Sequence, residues 1–153
     1  MQIGKNFTAI ILVGGRGSRF SKINEPPKQL IMLNKRSLLE NQMKYFCKYK
    51  INNFIFPLGN KKSYFYKFFK NKKKINNRKI LIHKNKFRGI DKNSINILLF
   101  NAGKKTSKLN RIKNSLKYLK NNNFIVTYGD GIANINFKNY FNLFKKYNKA
   151  IVA

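Results

Sequence analysis

An unbroken apolar run, Ala9 to Val13 (AIILV), ends directly in Gly14-Gly15-Arg16-Gly17-Ser18-Arg19, and this constrains the chain more than any other feature. A run without polar alternation is what a strand covered on both faces carries. Similar runs alternate with helical periodicities down the chain. Ser37 can cap a helix, Glu40 three residues on completes a capping box, and Leu39, Met43 and Phe46 fall on one face. Phe54 to Leu58 reads as the next strand, with Pro57 confining the pairing near its end. Ser63 to Phe69 reads as a short aromatic helix, Asn71 to Lys79 as a polar, basic loop, and Ile80 to His83 and Ile95 to Phe100 as strands. Leu109, Ile112, Leu116 and Leu119 recur at helical steps and predict an amphipathic helix from Lys108 to Leu119, ended by Asn121 to Asn123. Phe124 to Tyr128 is a strand closed by Gly129-Asp130-Gly131. Phe137, Tyr140, Phe141, Phe144 and Tyr147 line one face of a last helix, and Ala150 to Ala153 is again strand-like. Strands alternating with helices predict an α/β fold with a mostly parallel sheet covered on both faces.

At 153 residues the chain fits one ordinary domain. It carries 34 Lys and Arg against 4 Asp and Glu, a formal charge of +30. Such a charge can mark a polyanion partner, since dense Lys and Arg neutralise phosphates and release counterions. Here 28 of the 34 are lysines, spread along the chain beside 24 Asn and 18 Ile. Those residue types have A/T-rich codons, so coding bias accounts for the composition without a nucleic-acid partner. Hydrophobic residues at 42% are enough to fill a core. A lone cysteine, Cys47, excludes an internal disulfide and a Cys-based zinc site, and a lone histidine, His83, is expected to be a satisfied strand residue. No apolar run approaches the ~20 residues of a membrane span, and Lys5 and Asn6 interrupt the opening where a signal peptide would be apolar. A cytoplasmic protein that does not enter membranes is the expectation.

The glycine cluster after the first strand is where chemistry is expected. Glycines allow close backbone approach, so consecutive N–H groups can form an anion-binding concavity, and Arg16 and Arg19 add positive charge. Phe20 stands where a dinucleotide fingerprint needs its last glycine, and no GKS or GKT follows, so neither that fingerprint nor a Walker A loop is present. A second glycine element, Gly129-Asp130-Gly131, also follows a strand. Loops at the carboxyl ends of parallel strands converge on one crevice. Asp130 is the acid so placed, and Mg²⁺ needs only one or two carboxylates beside water and substrate phosphates.

AIILVGGRGSRF, PPKQL, INNFIFPLGNKKSYFYKFF and TYGDGIANI, in that order, resemble the N-terminal part of the sugar-phosphate nucleotidylyltransferases, most closely the glucose-1-phosphate cytidylyltransferases. The resemblance implies a Rossmann-like nucleotide-binding fold and transfer of a nucleotidyl group from an NTP, CTP favoured, to a hexose 1-phosphate with Mg²⁺. It implies that Gly14, Gly15, Gly17 and Ser18 bind the phosphates and that Arg19 neutralises the departing pyrophosphate. Lys28, the family's proline-flanked lysine, would hold the α-phosphate, and Asp130 would bind the metal. Arg111 falls where the family's TGGR arginine approaches the nucleotide, although Lys108-Leu109-Asn110 replace the TGG. Ser18 and Phe20 replace Thr and Leu, and Gln29 stands where cytidylyltransferases usually have Pro.

Family members continue past the GDG region into strands that form the sugar site and supply a second acidic metal ligand. The resemblance therefore implies that residues 1–153 are a single nucleotide-binding domain lacking that part, with a homo-oligomer or a separate C-terminal half as conceivable partners. The alternatives are a catalytically inactive or regulatory nucleotide-binding domain and a basic polyanion-binding protein. If the charge reflects composition, nucleic-acid binding should be weak, indifferent to sequence and lost steeply between about 50 and 200 mM salt. Fluorescence anisotropy with two unrelated oligonucleotides checks this, and selective binding that persists at high salt would contradict it.

Overall fold

The computed structural model describes residues 3–15, 25–75, 77–83, 87, 93–119, 121–131, 133 and 135–147. In chain order the strands are β1 (Phe7–Leu12), β2 (Met32–Leu33), β3 (Arg36–Ser37), β4 (Asn53–Leu58), β5 (Lys74–Ile75), β6 (Arg78–His83), β7 (Ile95–Asn101) and β8 (Asn123–Tyr128). The helices are α1 (Leu38–Lys48), α2 (Lys62–Asn71), α3 (Lys108–Leu116) and α4 (Phe137–Tyr147). One six-stranded sheet has the order β5-β6-β7-β4-β1-β8. β6, β7, β4, β1 and β8 run parallel, and β5 alone is antiparallel to its neighbour. β2 and β3 form a separate antiparallel ribbon.

The apolar runs explain the layers. Phe7, Ala9, Ile11, Phe54, Phe56, Leu58, Ile95, Ile97 and Leu99 face one side of the sheet, where α1, α2 and α4 deliver Leu39, Met43, Phe46, Phe65, Phe69, Phe137 and Phe141. Ile10, Leu12, Ile55, Leu98 and Phe100 face the other, against Ile112, Tyr118 and Leu119 of α3 and the turn after it. The Ser37–Glu40 capping box forms: Ser37 N–H donates to Glu40 Oε2 at 2.9 Å and Glu40 N–H to Ser37 Oγ at 3.2 Å. Pro57 acts as its missing N–H requires. Paired residues on the β1 side of β4 stop at Ile55, whereas pairing with β7 continues to Leu58.

Two expectations need correction. The segment Asn71 to Lys79 is not a loop throughout: Lys74 pairs with Lys79 and Ile75 with Arg78 in a tight hairpin, anchored by the buried Ile75 and turned at Asn77 with φ +61°. In α3 the helix ends at Leu116, and the predicted apolar face is packed only in part, with Ile112 and Leu119 meeting the sheet. Leu109 and Leu116 are 62% and 40% exposed, while Arg111 and Ser115 are buried. A polar anchor, described below, sets the rotation of this helix. The apolar run 150–153 and Arg16, Gly17, Ser18 and Arg19 lie outside the described residues.

His83 Nε2 lies 3.1 Å from Asn96 Oδ1, as expected of a satisfied strand residue. Cys47 is buried on α1, and burial pushes its thiol up to about 11. A thiol held protonated by the fold contributes stability below the unfolded thiol's range of about 8.5 and loses it as pH rises toward the folded value. Cys47 should therefore react with a thiol reagent at pH 8 no faster than the chain unfolds. Labelling rates across a urea series check this, and rapid reaction in the native state would contradict it.

Candidate functional site

The carboxyl ends of β1, β4, β7 and β8 lie at the same end of the sheet, because these strands are parallel. From β1 the chain proceeds to β4 and β7 in one direction, then returns to place β8 on the opposite side of β1. The order thus reverses between β1 and β8, where an open α/β sheet has its crevice. Leu12 pairs with Tyr128, and the Gly129 N–H donates to Leu12 O at 3.1 Å, so the two glycine elements leave the sheet at one level. Between them lies a cleft of about 480 Å³ lined by Gly14, Gly15, Gln29, Lys104, Lys105, Thr106, Lys108, Arg111 and Asp130, among others. Four cationic side chains against one carboxylate make it an anion-receiving cavity.

Lys28 opens a single 3₁₀ turn, Lys28–Leu30, after Pro26 and Pro27. Its Nζ lies 2.5 Å from Asp130 Oδ2, with the two side chains 41% and 31% exposed. The expected phosphate-binding lysine and metal-binding carboxylate therefore meet at the cleft. Among the described residues no group of three or more His, Cys, Asp or Glu could hold a metal ion. One carboxylate beside a cationic cavity fits Mg²⁺ held jointly with ligand phosphates and water, and does not fit a cage made of protein groups alone.

Arg111 lines the cleft but spends its donors on the framework. Nε donates to Thr106 O at 3.1 Å, Nη1 to Val13 O and Pro57 O at 3.1 Å each, and Nη2 to Gly103 O at 2.9 Å. Four of the five guanidinium N–H groups are thus given to backbone carbonyls. The residue is 5% exposed, and burial lowers its affinity for the proton. No carboxylate among the described residues pairs with it. Gly59 is required beside it, because a Cβ there would stand within 2.5 Å of Arg111 Nη1. Lys108, Leu109 and Asn110 form the first turn of α3, capped by Ser107, whose Oγ accepts from Asn110 N–H at 3.2 Å.

Some contributors lie outside the sequence expectations. Gly59 follows β4 as Gly14 and Gly129 follow their strands, and that repetition was a readable signal. Lys104 and Lys105 were hidden among many lysines. Gln42 donates its side-chain amide to Tyr128 O at 2.8 Å and Gly131 O at 2.9 Å. Its signal was a polar residue within the stripe of Leu39, Met43 and Phe46.

Fold and cleft together define the class: a Rossmann-like α/β protein with an anion-receiving crevice at its topological switch point. Residues 8–153 match the nucleotidyl transferase family, and the chain belongs to it. It is 33% identical over 134 residues to the probable glucose-1-phosphate cytidylyltransferase of Bacillus subtilis, covering 84% of this chain and 52% of that protein. It is 28% identical over 152 residues to the glucose-1-phosphate cytidylyltransferase of Salmonella typhimurium, covering 92% and 57%. The chain spans about half the length of these curated relatives. The fold is similar to HddC from Yersinia pseudotuberculosis complexed with GMP-PN, with a TM-score of 0.64 at 20% identity, and to HddC in a second crystal structure, with 0.65 at 19%. Each match covers 90% of this chain and 53% of HddC.

Replacing Arg111 with Lys keeps the charge but cannot address four carbonyls. Arg111→Lys should therefore lower the free energy of unfolding by about 2–4 kcal/mol, as buried acceptors lose their donors. Urea denaturation with an unchanged slope checks this, and a midpoint equal to the wild type would contradict it.

Proposed function

We propose that residues 1–153 form a nucleotide-binding domain of a sugar-1-phosphate nucleotidylyltransferase, taking an NTP, CTP by preference, with Mg²⁺ and a hexose 1-phosphate. The observation that carries this reading is the meeting of Gly14, Gly15 and the Lys28–Asp130 pair at the β1/β8 switch point. Family membership supports nucleotidyl transfer, and the relatives named glucose-1-phosphate cytidylyltransferases support the choice of base and sugar. No helix among the described residues is long and apolar enough to cross a membrane. The use of an NTP supports a cytoplasmic placement.

In the proposed reaction an oxygen of the sugar 1-phosphate forms a bond to the α-phosphorus of the NTP. The bond from that phosphorus to the oxygen bridging to the β-phosphate breaks, and pyrophosphate leaves with the electron pair. Backbone N–H groups at Gly14 and Gly15, continued by Gly17 and Ser18, receive the phosphates. Arg19 neutralises the leaving pyrophosphate. Lys28 moves its ammonium from Asp130 to the α-phosphate oxygens, where negative charge is redistributed as the bonds exchange. Asp130 and the phosphates would hold Mg²⁺, which when bound neutralises charge and aligns the phosphates for in-line displacement. Arg111, with its donors committed, acts by holding the cleft floor and by its unneutralised charge.

The test pairs calorimetry of CTP binding with detection of pyrophosphate when glucose 1-phosphate is added. CTP should bind in a Mg²⁺-dependent manner, and Lys28→Ala and Asp130→Asn should each weaken binding about tenfold or more, as expected for loss of a charge-assisted contact. Pyrophosphate release supports the transferase reading, whereas binding without release supports a nucleotide-binding domain that does not turn over. Absence of nucleotide binding under every metal condition overturns both.

A further inference from the structure

Apart from the capping Glu40, helix α1 buries one polar side chain, and it lies inside the apolar stripe. Gln42 is 6% exposed and lies among the buried Leu39, Met43 and Phe46 of the same helix. Its amide nitrogen makes both of the hydrogen bonds described above, to the carbonyls of Tyr128 and Gly131. Those two carbonyls bracket Gly129-Asp130, so one side chain ties both legs of the turn that presents the carboxylate. Thr127 Oγ1 adds a longer contact of 3.4 Å to the first carbonyl. The other half of the Gln42 amide has no such use. Its Oε1 is buried and accepts no hydrogen bond among the described residues.

A buried carbonyl oxygen without a donor costs stability, and native structures rarely retain one without a compensating role. An apolar side chain of similar shape would remove that cost, and the carbonyls of Tyr128 and Gly131, which belong to exposed residues, would turn to solvent. Retention of the amide is explained if its nitrogen has work that stability alone does not reward. We propose that Gln42 is a positioning residue for metal–nucleotide binding, holding the Asp130 turn in the geometry that lets its carboxylate share a divalent cation with the nucleotide phosphates. This rests on the reading of Asp130 as the metal-binding carboxylate. Groups that orient a metal ligand from behind commonly change metal affinity by about ten- to a hundredfold when removed.

The experiment uses the full 153-residue chain, Mn²⁺ as a paramagnetic probe and CTP. Free Mn²⁺ is followed by electron paramagnetic resonance with and without the nucleotide, and thermal midpoints and metal-free CTP affinity are measured alongside. Gln42→Met should leave the thermal midpoint equal to or above the wild type and metal-free CTP affinity unchanged, while Mn²⁺ affinity in the presence of CTP falls about tenfold or more. Gln42→Asn keeps an amide that is too short to span both carbonyls and should show the same loss of Mn²⁺ affinity. Wild-type Mn²⁺ affinity in Gln42→Met overturns the proposal. So does a lowered midpoint or a failure to fold, because the side chain is then a structural support. Failure of the underlying reading is distinguishable: wild-type chain that takes up no Mn²⁺ with CTP, or Asp130→Asn that takes it up equally, removes Asp130 as the ligand whatever Gln42 does.

Discussion

The buried guanidinium of Arg111 governs how the strand ends are arranged. Where a parallel sheet stops, the last carbonyls of adjacent strands lose their ladder partners and must be satisfied in some other way. Arg111 reaches Val13 after β1, Pro57 in β4, and Gly103 and Thr106 after β7, so two loops and the end of a strand share one set of donors. A planar fork can serve several acceptors at fixed angles, whereas an ammonium group cannot. The carbonyl dipoles stabilise the charge without cancelling it. The residue that closes the floor of the cleft therefore also makes that floor positive.

The rest of the charge plays little part in the fold. No lysine among the described residues is buried, and the buried charged residues among them are Glu40 and Arg111. Both are tied down, Glu40 by the cap at Ser37 and by Lys72 Nζ at 2.6 Å. Aromatic contacts join the sheet to its helices within the core, such as Phe7 with Phe141, Phe46 with Phe54 and Phe56 with Phe69. A composition dominated by lysine and asparagine is compatible with this arrangement because a long basic side chain keeps its head in water wherever its backbone lies on the surface.

How much could be read from the sequence depended on the range of the interaction concerned. The capping box at Ser37, the buried strands and the helix at Phe137 were legible because spacing within a few residues determines them. The convergence of Gly14 and Gly15 with Asp130 was legible through one topological rule about strand ends. The hairpin at Lys74–Arg78 was obscured because a single apolar residue, Ile75, anchors it within a basic stretch. The packed face of α3 was read only in part, for a different reason. Leucine spacing normally orients a helix, but here Arg111 turns inward on four hydrogen bonds, two of them to Val13 and Pro57, which are remote in sequence. Gln42 showed itself only as a polar interruption, since both of its partners lie more than eighty positions away, with separations of 86 and 89.

The place of β1 in the sheet also bears on the order of assembly. β1 precedes both of its neighbours in the chain and sits between β4 and β8, with Thr8 opposite Asn53 on one side and Phe124 on the other. On a ribosome the β4 side can zip up while the chain is still short, together with β6 and β7, but β1 must wait for its second neighbour until β8 has emerged. That wait exposes the β8-facing edge of an apolar strand, an edge prone to wrong pairing in a nascent chain. β8 brings the aspartate turn with it, so the protein gains its ligand-receiving crevice in the same event that pairs this edge of β1.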